Sequence, residues 1–191
     1  KFLKLYIKSI AEINQDLPES TNSQMGSLIS KDHFKKVGRC VKKSLNQGGR
    51  LLYQGIVKSH LKGHYYPPTL IEITDTDNIL FNDEVFGPVV AIMKFENEEE
   101  VVSMANNTNY GLAGGVWTQD ISRAFRVSSM IDAGYLWVNT YGGIIPETPY
   151  GGFKQSGVGK ELGSEGLEEY LRTKNISIFT GDSLPSWYGR K

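Results

Sequence analysis

Cysteine, histidine and net charge are all scarce in this chain, and each shortage excludes something. One Cys among 191 residues rules out an internal disulfide. It fits a reducing compartment, and the expected location is cytoplasmic. Three His are present, and none sits at ligand spacing from a carboxylate pair. His60 and His64 are four apart, but Gly63 and Pro67-Pro68 argue against the helix that would put them on one face, so no metal is expected. Lys plus Arg number 21 and Asp plus Glu 21, a formal net charge of 0. A neutral chain lacks the concentrated basic surface that nucleic acid requires. No apolar run approaches bilayer length, so no membrane partner is expected. The start, Lys1-Phe2-Leu3-Lys4, leads into an amphipathic pattern and not into the apolar stretch of a signal peptide.

What is abundant is alternation between helical stripes and short apolar runs. Apolar residues recur at helical spacing over 2–14, 32–47, 97–107, 120–131 and 160–172. Asp32 and Asp120 are the expected N-caps of two of these helices. The acidic start of 97–107 suits the positive end of its dipole. Between the stripes lie RLLYQG (50–55), TLIEI (69–73), VVAIMKF (89–95), AGGVWT (113–118), GYLWVN (134–139) and NISIFT (175–180). Strand-like runs alternating with helices predict an α/β, three-layer architecture with a mainly parallel sheet. VVAIMKF is nearly all apolar, which predicts a strand covered on both faces. Residues 56–68 are polar, end in Pro-Pro and are expected to form a surface loop, and 181–191 an extended tail. The first stripe begins at residue 2 with no cap before it, which suggests a piece of a longer polypeptide.

Cys40 sits at the edge of the stripe made by Phe34, Val37, Val41 and Leu45. A small apolar packing role is expected there; a nucleophile would need a base and an accessible, electropositive site.

The segment PYGGFKQSGVGKELG (149–163) looks like a phosphate cradle but fails both tests for one. Aligning Gly159-Lys160 with the end of a P-loop puts Lys154 where the leading glycine belongs and Glu161 where a hydroxyl should bind magnesium. Gly157 and Gly159 open a dinucleotide fingerprint, but the third glycine position is Leu162. Lys154 and Lys160 are therefore expected to be structural or surface cations. The glycines are expected to allow close crossing of the backbone.

Four blocks in order carry a resemblance: EVFGP (84–88), ANNTNYGLAGGVWT (105–118), WVNTY (137–141) and the glycine-rich segment. Together they resemble the C-terminal half of the aldehyde dehydrogenase superfamily, over nearly the whole chain to about Thr180. The last block is similar to the branch acting on betaine aldehyde and related amino aldehydes. The resemblance implies oxidation of an aldehyde substrate to an acid. A cysteine thiolate attacks the aldehyde, hydride passes to NAD or NADP, and a glutamate-activated water releases the acid. It also implies that 1–174 is part of the catalytic domain and that 175–180 is an oligomerisation strand of a homo-oligomer. The nucleophilic Cys, the base Glu and the cofactor domain would then lie upstream, in a missing N-terminal part, and this piece alone would be inactive.

By the same resemblance, Glu84 accepts the nicotinamide-ribose hydroxyls and Phe86 packs beside the nicotinamide. A carboxylate is acceptor-only and a diol offers two donors, so the chemistry matches. Ile144 and Tyr150 shape the substrate pocket, and Asn139 holds the loop 141–150 near the site. Tyr150 equally suits plain packing under a loop. Glu161 matches a proton-relay glutamate, and equally a first-turn helix acid. A second overall reading remains: a non-catalytic binding or oligomerisation module with the same fold.

Overall fold

The computed structural model describes residues 1–182. The chain runs α1 (Phe2–Ala11), α2 (Lys31–Asn46), β1 (Arg50–Gln54), β2 (Thr69–Glu72), α3 (Ile79–Asn82), β3 (Val89–Ile92), α4 (Glu98–Asn106), β4 (Tyr110–Gly111), β5 (Ala113–Val116), α5 (Ile121–Met130), β6 (Tyr135–Val138), β7 (Phe153–Lys154) and α6 (Gly163–Glu168). The expected tail beyond residue 182 lies outside the described residues.

Helix α2 organises the core. Ser30, not Asp32, is its N-cap, and the Ser30 side chain accepts from the His33 backbone N–H. Asp32 instead occupies the first turn, where its charge favours the helix dipole. Val37, Cys40 and Val41 point inward and pack with Tyr66, Ile71, Ile73 and Val85. Cys40 is thus a buried apolar filler, as the stripe implied. The other expected cap, Asp120, accepts from the N–H groups of Ser122 and Arg123 at the start of α5.

The sheet differs from the expectation. Among the described residues the strands form three small sheets and not one. β2 and β3 are parallel, with β1 added antiparallel; β5 and β6 form a parallel pair; β4 and β7 form an antiparallel pair. β3 is an edge strand, and Val90 is 40% exposed, so VVAIMKF is not covered on both faces. Residues 175–180 form no strand among the described residues, and Ile176, Ile178 and Phe179 are exposed. The stretch 56–68 is more than a surface loop. Leu61, Tyr65 and Tyr66 within it are buried, and the His64 carbonyl accepts from the Leu28 N–H. The last helix is shorter than its stripe, covering only Gly163–Glu168.

Candidate active-site wall

The segment Glu84-Val85-Phe86 alternates about the core surface. Val85 is buried, while Glu84 is exposed and Phe86 is 75% exposed. One buried valine between two outward side chains fixes which way the neighbours face. Phe86 is held in the left-handed region, φ 55, which a residue with a Cβ adopts only when its surroundings impose it. Gly87 follows in close contact with α2; a Cβ there would lie 2.8 Å from Val37 Cγ2.

Glu84 borders a cleft of about 580 Å³ between α4, the β4–β5 region and Gln155-Ser156. Among the described residues its carboxylate makes no hydrogen bond or ion pair; only its backbone carbonyl is engaged, accepting from Lys36 Nζ at 3.1 Å. Tyr150 borders a second cleft of about 290 Å³, together with Lys160, Glu161 and Glu169. Neither of these clefts holds both Glu84 and Tyr150, but the two share Leu112 and Ser156 in their walls. A third cleft, about 690 Å³ beside Trp117 and Phe95, contains none of the expected site residues.

Tyr150 belongs to an aromatic group. Its ring lies 5.7 Å from Tyr135, Tyr135 lies 4.7 Å from Trp137, and Trp137 lies 4.9 Å from Tyr141. Residues 135 and 137 alternate on β6 and so share a face. Trp137 Nε1 donates to the Gly143 carbonyl at 2.7 Å, which pins the loop 141–150 against this group. Ile144 follows that anchor, is 46% exposed and lines none of the three clefts.

Asn139 acts differently from the expectation. Its side chain exchanges two 2.8 Å hydrogen bonds with the backbone of Thr118, beyond the end of β5. It therefore ties β5 to β6 and does not bond the loop 141–150. Glu161 is not in a helix, since α6 starts at Gly163, and the first-turn acid is Glu165. Glu161 instead bridges backbone to backbone with Tyr150.

The glycine-rich segment is a crossing of backbones. A Cβ at Gly151 would lie 2.6 Å from the Gly159 carbonyl, and one at Gly134 would overlap the Gly151 carbonyl. Its two lysines are committed elsewhere. Lys154 Nζ donates to the Asn106 and Thr108 carbonyls and pairs with Asp132. Lys160 Nζ donates to the Gly151 carbonyl and lies over the Phe153 ring. No group of three or more potential metal ligands occurs among the described residues.

An α/β scaffold with two parallel strand pairs carries Glu84 at a cleft edge, the exposed Phe86 ring two residues on, and an aromatic-backed loop whose Tyr150 borders a cleft that shares Leu112 and Ser156 with the first. The sequence model of the Aldehyde dehydrogenase family matches residues 1–176, and the chain belongs to that family. It is 40% identical over 187 residues to 4-trimethylaminobutyraldehyde dehydrogenase from Oryzias latipes, covering 95% of this chain and 37% of that protein. It is 35% identical to the peroxisomal aminoaldehyde dehydrogenase 1 of Pisum sativum, covering 98% of this chain and 38% of that protein. Among solved structures, betaine aldehyde dehydrogenase from Staphylococcus aureus in complex with NAD+ superposes with a TM-score of 0.91 at 35% identity. That match covers 99% of this chain and 38% of the other. The chain thus spans well under half the length of these relatives.

His33 and Lys36, which hold the Glu84–Phe86 backbone, were not identified from sequence. Their signal is the spacing His33, Lys36, Val37 on one helix face, with Val37 turned to the core.

Proposed function

We propose that this chain supplies the nicotinamide-ribose clamp and part of the aldehyde entrance of an NAD- or NADP-dependent aldehyde dehydrogenase. The observation that carries this reading is the alternation at 84–86, where buried Val85 turns Glu84 to the edge of a cleft and leaves the Phe86 ring exposed two residues on. The residues fit one end of such a cofactor. The Glu84 carboxylate has open acceptor positions for two ribose hydroxyls, and the exposed Phe86 ring offers a flat apolar face to a planar heterocycle. They do not fit its phosphates, because Lys154 and Lys160 are already engaged with backbone carbonyls. When bound, the cofactor supplies the hydride acceptor. Glu84 and Phe86 hold it in place, where an error of about 1 Å costs on the order of a hundredfold in rate.

The thiol is not supplied by Cys40, which is 6% exposed and packed among Val37, Val41 and Ile71. The nucleophile and the base are therefore assigned to parts of the protein outside these 191 residues. Tyr150, with Tyr135, Trp137 and Tyr141 behind it, suits an aldehyde bearing a positive charge, since aromatic faces attract cations. The same reading assigns Ile144, half exposed on the loop pinned by Trp137, to the rim of that entrance. The same reading assigns Glu161, which lines the cleft that Tyr150 borders, the role of relay acid for product release. Residues 175–180, exposed and in no strand among the described residues, are assigned to pairing with another copy of the chain.

The test is Glu84→Gln in the full polypeptide that carries this chain. The expected result is slower single-turnover NADH formation with little change in release of the acid. Unchanged single-turnover NADH formation would remove Glu84 from the clamp.

A further inference from the structure

We propose that His33 is a positioning residue for this clamp: it holds the Phe86 peptide in its left-handed turn and so aims the Glu84 carboxylate and the Phe86 ring. The inference rests on the reading of Glu84 and Phe86 given above.

The His33 Nε2 lies 2.6 Å from the Phe86 carbonyl oxygen. A carbonyl only accepts, so the ring nitrogen donates, and the contact requires a proton on Nε2. The two rings also meet edge to face, with centroids 6.2 Å apart. Phe86 is the one residue of the segment with a positive φ, a conformation that a bulky side chain leaves readily unless something holds it.

The surroundings show what does the holding. Val37 and Val85 meet in the core, and Gly87 is pressed against Val37. Lys36 Nζ donates to the Glu84 carbonyl. His33, Lys36 and Val37 are spaced i, i+3 and i+4, so a single face of α2 grips successive points of the loop. Within that grip only His33 bonds the peptide of the left-handed residue itself. It is a firm point, because its own backbone N–H is bonded to the Ser30 cap at 3.1 Å. Lys36, by contrast, is a long exposed side chain with rotamer freedom to lose.

Loss of the His33 donor therefore releases Phe86 towards extended backbone while Val85 stays buried. The fold survives, and the angle between the carboxylate and the ring does not.

The experiment uses the full polypeptide and reads equilibrium NAD binding beside single-turnover NADH formation. His33→Ala is expected to weaken NAD binding by about fivefold, the effect of one hydrogen bond, and to slow hydride transfer, with an unchanged thermal unfolding midpoint. His33→Gln, whose amide N–H reaches the same carbonyl, is expected to restore most of both. If His33→Ala fails to fold, His33→Leu against His33→Gln makes the same comparison. Wild-type NAD binding by His33→Ala, with Glu84→Gln impaired, would overturn the role of His33 and leave the clamp standing. Equal impairment of the Gln and Ala variants would also overturn it. Wild-type behaviour of both His33→Ala and Glu84→Gln would overturn the clamp itself.

Discussion

Tyr150 and Glu161 exchange both of their backbone hydrogen bonds, each N–H donating to the other's carbonyl at 2.7 Å. This bridge closes the glycine-rich segment into a loop whose two ends are fixed side by side. It explains why so many glycines lie there. The chain must cross itself and the start of β6 at backbone distance, where no Cβ fits. A phosphate loop would instead leave its N–H groups and a lysine free for the ligand.

The crossing gives a stability prediction. Gly134→Ala places a methyl on the Gly151 carbonyl, while Gly143→Ala meets nothing within 4 Å. Overpacking against backbone costs on the order of 2–3 kcal/mol. Urea unfolding is expected to show a clear fall in midpoint for Gly134→Ala and little change for Gly143→Ala. Equal midpoints would mean that the crossing is looser than described.

A second prediction concerns acid. Glu98, in the first turn of α4, is held below the ordinary glutamate range by side-chain hydrogen bonds from Arg123 and then Arg126 on α5. Its native pKa lies below the unfolded one, so the stability it contributes is complete above the unfolded value, about 4.3, and is lost as pH falls through the native value. Glu98→Gln is therefore expected to lower the urea midpoint at neutral pH, with the difference from wild type closing in strong acid. A difference that stays constant with pH would contradict a charged Glu98 as the link between α4 and α5.

A third prediction concerns residues 175–180. Ile176, Ile178 and Phe179 are 68%, 79% and 51% exposed. An exposed, largely apolar segment with free backbone groups is a ready template for strand pairing. Size-exclusion chromatography is expected to show association that grows with concentration, and Ile178→Lys is expected to shift it towards monomer. A wild-type chain that stays monomeric at all concentrations would remove the oligomerisation role.

Much of the scaffold was legible because its signals are local. The stripe Phe34, Val37, Val41, Leu45 predicts α2 and the packing of Cys40, and Asp120 predicts the start of α5. The illegible parts depend on distant partners. β4 and β7 are two-residue strands that exist only by pairing Tyr110-Gly111 with Phe153-Lys154. VVAIMKF reads as a covered strand, yet β3 ends a sheet, because apolar composition does not state which neighbours are present. The site shows the same division. The motif singles out Glu84 and Phe86, and both side chains face outward about buried Val85. The Asn139 bonds to Thr118 and the grip of His33 and Lys36 were not legible, since the spacing of His33, Lys36 and Val37 gives a shared helix face but not the distant backbone groups that such side chains meet.

The central claim is that these residues hold the cofactor and shape the entrance while the reacting sulfur belongs to another part of the protein. Cys40→Ala in the full polypeptide tests it most directly, read as the amplitude of single-turnover NADH formation with saturating aldehyde and NAD. The account predicts full amplitude at one NADH per site. Loss of that amplitude in a folded Cys40→Ala protein would make Cys40 the nucleophile and contradict the account.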